Sequence, residues 1–148
     1  MRKLLFICSA NYYRSRFAEL LFNHLAAQSH LDWKAESRGV APELGLGNIG
    51  PISPHTIRGL QTRGVKLPGD IREPIPLTEE DLKQADLIVL LDEAEHRPYM
   101  QERFPDWADK VTYWHVADLH VATTEDALTV AEAEISALVE RLAAGEVG

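Results

Sequence analysis

The run Leu4-Leu5-Phe6-Ile7-Cys8-Ser9-Ala10-Asn11-Tyr12-Tyr13-Arg14-Ser15 decides how the rest of the chain is read. Its first part is short, apolar and bounded by polar residues, which predicts a fully buried strand over Lys3 to Cys8. After it, Phe17, Leu20, Leu21 and Leu25 recur at helical spacing, which predicts an amphipathic helix from Arg14 to about Gln28. The one cysteine of the chain therefore falls where a strand hands over to a helix. An arginine stands six residues later, with a serine directly behind it.

Working outward, Trp33 to Ser37 reads as a second short strand, ended by Arg38-Gly39. Between Val40 and Pro54, three glycines and three prolines (Gly45, Gly47, Gly50, Pro42, Pro51, Pro54) predict a loop. Ser53 is placed to cap a helix opening at Pro54 and stopping at Gly64. A further loop is marked by Pro68-Gly69, Pro74 and Pro76, and Thr78 to Leu82 opens a short helix with acidic residues in its first turn. Asp86 to Asp92 encloses an unbroken apolar core, as in a parallel strand covered on both faces. A helix follows from Glu93, with Pro98 set against its continuity, then a fourth strand over Val111 to Val116. Leu128, Ala131, Ile135, Leu138 and Leu142 mark a final amphipathic helix from Thr124 to Leu142.

Strands alternating with helices imply an α/β fold, a three-layer sandwich with a four-stranded, mostly parallel sheet and helices on both faces. We expect one domain over residues 1–148, since no repeat, low-complexity tract or linker divides the chain. Ligands in such folds bind beyond the carboxyl ends of the strands. That edge would gather Cys8, Ser37, Asp92 and Asp118 from four separate segments.

The formal net charge of -8 argues against generic partners that attract basic surfaces, both nucleic acid and anionic membrane. No apolar run approaches the roughly 20 residues of a membrane span. Met1-Arg2-Lys3 and the apolar residues behind it are too short for a secretory core, so a cytoplasmic protein is expected. A lone cysteine permits neither an internal disulfide nor a cysteine-rich metal site. The six histidines show no metal-ligand spacing.

The loop chemistry suits an anion. Ser9, Ala10, Asn11, Tyr12 and Tyr13, the five residues between Cys8 and Arg14, suffice to wrap a ring of backbone N–H groups around phosphate oxygens. The helix behind them adds its N-terminal donors and positive dipole. Arg14 can grip two oxygens in a fork, which lysine cannot match. The same positive field favours a thiolate at Cys8, and Ser15 can donate a hydrogen bond to the sulfur. Asparagine at position 11 tolerates the left-handed backbone that a tight loop needs.

These residues resemble the low-molecular-weight protein tyrosine phosphatase family, whose fold is shared with thioredoxin-coupled arsenate reductases. The family loop, C-x-G-N-x-x-R-S often followed by an A-E pair, is matched at Cys8, Asn11, Arg14, Ser15, Ala18 and Glu19. Ser37-Arg38-Gly39 resembles its S-A-G, Asp86 to Asp92 its D-L-I-x-x-M-D strand, and Val116-Ala117-Asp118 falls where its D-P general acid stands. The resemblance implies attack by Cys8 on phosphorus, a phosphocysteine, oxyanion stabilisation by Arg14 and the loop amides, and proton transfer by Asp118. It implies no metal or organic cofactor. The substrate would be a phosphorylated protein or small aryl phosphate. Asp92 is the rival acid, its alternative role being to cap the next helix.

The chain also departs from that pattern. Ala10 replaces the loop glycine, which matters if the position needs positive φ or close backbone approach. Tyr13 stands where many members carry a second cysteine, so Cys8 is expected to be more open to irreversible oxidation. Leu119 replaces the proline after the acid, and the aromatic walls that hold a phosphotyrosine ring are missing. Tyr12 and Tyr13 are open to two roles, a substitute wall or packing beneath the first helix. Two other functions share the loop: arsenate reduction with an external thiol, and a phosphate- or phosphoprotein-binding module with weak catalysis.

Overall fold

The computed structural model describes residues 1–118 and 123–146. Its centre is strand β1 (Arg2–Cys8), flanked by β2 (Trp33–Gly39) and β3 (Leu87–Leu90), with β4 (Thr112–Tyr113) beyond β3. The order β2-β1-β3-β4 is parallel throughout, with Cys8 beside Gly39 and Ile7 beside Leu90. The predicted three-layer α/β sandwich is what forms.

Strand alternation divides the core in two. Leu4, Phe6, Cys8 and Val89 face one layer, built by α1 (Arg14–Gln28), α2 (Pro54–Thr62) and α5 (Thr124–Ala143). Phe17, Leu21 and Phe22 of α1, Leu60 of α2, and Leu128 and Ile135 of α5 fill that side. Leu5, Ile7, Ile88 and Leu90 face the other layer, where Leu82 of α3 (Glu79–Gln84) and Met100 of α4 (Glu93–Arg103) meet them. The edge strand β2 is closed by Asn23 of α1, whose amide exchanges hydrogen bonds of 3.1 and 2.8 Å with the Ala35 backbone.

The helix starts follow the local chemistry. Ser53 caps α2 by accepting the His55 N–H, and Thr78 forms a capping box with Asp81 at α3. The loop before α2 contains a single 3-10 turn over Pro42–Gly45. Helix α4 runs unbroken through Pro98, forgoing one backbone bond while the Arg97–Glu93 pair at 2.8 Å bridges that turn. Among the described residues no helix is long and apolar enough to cross a membrane.

The fourth strand is far shorter than the Val111 to Val116 expected from the sequence. The parallel ladder stops at Tyr113 because the chain leaving β3 bends at Leu91, and beyond it Asp92 and His115 pair as an isolated antiparallel bridge. Trp114 and Val116 donate their N–H groups to Leu90 and Leu91, and Glu93 donates back to Trp114. Both side chains stay buried, which explains the strand-like pattern. Val116 and Asp118 then reach Arg14 at the carboxyl edge of the sheet.

Candidate active site

The segment from Ser9 to Tyr13 is held by its carbonyls. Cys8 and Ser9 accept from the N–H groups of Val40 and Ala41, Tyr12 from Ser53, and Tyr13 from the Thr56 hydroxyl. Asn11 accepts from Arg16 at 3.4 Å. Across a trans peptide the C=O and N–H point opposite ways, so anchoring the carbonyls outward turns the amides inward. Among the described residues, the N–H groups of Ser9, Ala10, Asn11, Tyr12 and Arg14 donate to no protein acceptor. That is a nest of donors built for an anion.

Two glycines make room for it. A Cβ on Gly39 would lie 2.8 Å from the Ser9 carbonyl oxygen and 3.0 Å from Asn11 N. Gly39→Ala is therefore expected to push the loop off β2, costing about 1–3 kcal/mol and a large part of any turnover. Urea unfolding and aryl phosphate hydrolysis check this, and an alanine variant equal to wild type in both would refute it. Ala10 is accommodated differently. The positive φ falls on Asn11, at 55°, and not on Ala10. A Cβ on Gly45 would meet the Ala10 methyl at 3.0 Å, so the absence of a side chain there leaves the methyl its space.

Asn11 and Ser15 are fully buried behind the loop. Asn11 Nδ2 donates to Ser15 Oγ and to Ser37 Oγ, each at 2.9 Å. Ser15 Oγ, having accepted that bond, keeps its own proton for Cys8 Sγ at 2.9 Å. Asn11 Oδ1 accepts from Arg72 and from Ile75 N, both at 3.0 Å, and Arg72 also pairs with Glu19 at 2.9 Å. Arg16 is buried beside this network and donates to Pro51 O and Arg72 O. Burial and the neighbouring Arg72 lower its guanidinium pKa to about 10, even so leaving it charged at neutral pH.

Arg14, only 3% exposed, sends Nη1 to Val116 O at 2.9 Å and Nη2 to Glu95 at 2.7 Å. Asp118 Oδ2 lies 3.9 Å from the same Nη2. Burial opposes the charge on Arg14, but Cys8, Glu95 and Asp118 outweigh it and raise its pKa. Burial likewise pushes the Glu95 carboxyl up, yet bonds from His96, Arg14 and Ser9 hold it well below the usual carboxylate range.

Above the loop opens a cleft of about 360 Å³. Cys8, Ser9, Ala10, Tyr12, Tyr13, Arg14 and Asp118, all singled out by the sequence, line it. Asp92 does not; it begins α4 without a side-chain cap bond, and its N–H donates to His96. Ser37 belongs to the support of the loop and not to the cleft. The two tyrosines part company. Tyr13 packs into the core edge-on to His55, and burial raises its phenol pKa to about 12. Tyr12 leans outward, its hydroxyl bonded to Ile49 O at 2.7 Å. Leu119 and His120 lie outside the described residues. Glu95, His96 and Arg72 were missed from the sequence, because they belong to no motif near the loop. Among the described residues no group of His, Cys, Asp or Glu is arranged to hold a metal ion.

A strand-to-helix amide nest around a buried cysteine, with an arginine beside it, is arranged to hold an anion such as phosphate. The family model for low molecular weight phosphotyrosine protein phosphatases matches residues 3–144, and the chain belongs to that family. A protein-arginine-phosphatase of Bacillus subtilis (strain 168) is 30% identical over 108 residues, covering 73% of this chain and 67% of that protein. The low molecular weight protein tyrosine phosphatase from T. tengcongensis superposes with a TM-score of 0.74 at 27% identity, over 99% of this chain and 100% of that one. A mutant of the YwlE arginine phosphatase, described with a phosphorylated active-site serine, superposes with a TM-score of 0.71 at 25% identity. That match covers 97% of this chain and 94% of the other.

Proposed function

We propose that the chain hydrolyses phosphorylated proteins through a phosphocysteine on Cys8, with phosphotyrosine as the substrate residue. The observation that carries this reading is the loop itself: carbonyls anchored outward, the Ser9, Ala10, Asn11, Tyr12 and Arg14 amides without a protein acceptor among the described residues, Ser15 Oγ on the sulfur and the Arg14 guanidinium beside it. The Cys8 thiolate attacks phosphorus as the bond to the leaving oxygen breaks, and Asp118 gives that oxygen its proton. The amides of Ser9 to Tyr13 and the Arg14 fork bind the equatorial oxygens. Asp118, now a carboxylate, takes a proton from water. The water oxygen bonds to phosphorus, the S–P bond breaks, and Ser15 stabilises the departing thiolate. Inorganic phosphate leaves. Tyr12, Leu44 and His55, all lining the cleft, supply walls for an aryl ring. A lone thiol nucleophile suits the reducing cytoplasm, where we place the activity.

A second reading has its own support. The curated relative is a protein-arginine-phosphatase, and two carboxylates, Glu95 and Asp118, face this cleft. Carboxylates accept from the N–H groups of a guanidino leaving group. One peptide sequence carrying phosphotyrosine, phosphoarginine or phosphoserine separates the readings. Phosphate release is expected from the phosphotyrosine form, falling about 10²- to 10⁴-fold in Asp118→Asn. Release from the phosphoarginine form alone would replace tyrosine with arginine as the substrate. No release from any of them would overturn the hydrolase reading.

A further inference from the structure

Glu95 belongs to none of the segments that mark the site in the sequence, yet its carboxylate meets Arg14, Ser9 and His96 at once. We infer that Glu95 is a positioning residue for Arg14: one carboxylate oxygen fixes the guanidinium fork and the Ser9 hydroxyl together, and His96 fixes that oxygen. This rests on the phosphatase reading above and adds a residue to it.

The geometry converges on Oε2. Arg14 Nη2 donates to it at 2.7 Å, His96 Nε2 lies 3.1 Å away, and the Ser9 hydroxyl donates to it as well. His96 is fully buried, and its Nδ1 accepts the Asp92 N–H at 3.1 Å. With Nδ1 an acceptor, the ring proton sits on Nε2 and points at Glu95 and Ser9. The first turn of α4 is thus locked to the loop through a histidine, in the place where Asp92 makes no side-chain cap bond. Three donors on one oxygen leave the carboxylate a single position.

The consequence for Arg14 is specific. Its fork is held between Val116 O and Glu95, and Asp118 stands 3.9 Å from the same nitrogen. Without Glu95, Asp118 is the carboxylate left facing that nitrogen. The guanidinium would close on the group needed to move a proton, and leave the angle at which it meets phosphate oxygens. Glu95 keeps the cation and the acid apart.

A double-mutant cycle tests this on the full chain, using p-nitrophenyl phosphate for turnover and inorganic phosphate as a competitive inhibitor. Glu95→Ala is expected to lower kcat about 10- to 100-fold, as a small misplacement of a positioned group does. Glu95→Gln, whose amide oxygen still accepts, is expected to recover most of that loss. In an Arg14→Lys background, Glu95→Ala should cost less than about twofold, because its effect passes through Arg14. An equal loss in both backgrounds would mark Glu95 as a structural residue of α4 and overturn the inference. So would a folded Glu95→Ala variant with wild-type kcat. Failure of the phosphatase reading is seen separately, as a wild type with no turnover that Cys8→Ser abolishes. The same cycle is then read from inorganic phosphate binding by calorimetry, where non-additivity supports the inference and additivity ends it.

Discussion

Cys8→Ser is expected to lower aryl phosphate hydrolysis by on the order of 10⁴-fold or more, in a protein that still folds. Serine fits the space of a cysteine that is 3% exposed, and its hydroxyl can keep the 2.9 Å contact with Ser15. The loop amides, Arg14 and Asp118 would all remain, so the variant isolates the nucleophile from the cradle. What serine lacks is a readily formed anion. A neutral hydroxyl faces phosphorus with no base in position to take its proton, since Ser15 is turned towards it as a donor. The measurement is steady-state turnover beside thermal melting, with inorganic phosphate binding as the control for an intact loop. Retained turnover with an unchanged melting curve would remove Cys8 from the chemistry.

The second large effect is expected at Arg14. Arg14→Lys keeps the charge and should still lower kcat/KM about 10²- to 10³-fold, the scale of losing one oxyanion donor. A single ammonium cannot span Val116 O and Glu95 while also presenting a planar pair of N–H groups to phosphate. Lysine also buries a more strongly hydrated cation at a site that is almost closed to solvent. Inhibition by inorganic phosphate should weaken along with turnover, because both depend on the same fork. A lysine variant matching wild type in both would show that the amide nest alone suffices.

How much of this was legible depended on sequence distance. β1, the loop and α1 could be read because the apolar run, the turn and the helical period are consecutive. The four-stranded architecture followed, as did the cap at Ser53. β4 was overestimated because Trp114 and Val116 stay buried beyond the end of the ladder, which alternation alone does not separate from a strand. Ala10 looked like a strained substitution, but the strained position is Asn11, and room for the methyl comes from Gly45. The supports of the loop were hidden for another reason. Arg72 reaches Asn11 across 61 residues, Glu95 reaches Arg14 across 81, and His96 reaches Ser9 across 87. Nothing local in a sequence marks a partner that far away.

Those distances also bear on how the site comes into being. The Arg14 fork is completed by Val116, 102 residues downstream. α1 forms from neighbouring residues, whereas the cradle waits on β2, the Arg72 segment, α4 and the turn after β4. Such long-range closures are slow relative to local helix formation. During refolding, helical signal should therefore return before activity does. On the ribosome, the loop would be synthesised 102 residues ahead of Val116, and the Arg14 fork would stay incomplete until Val116 has been made and docked.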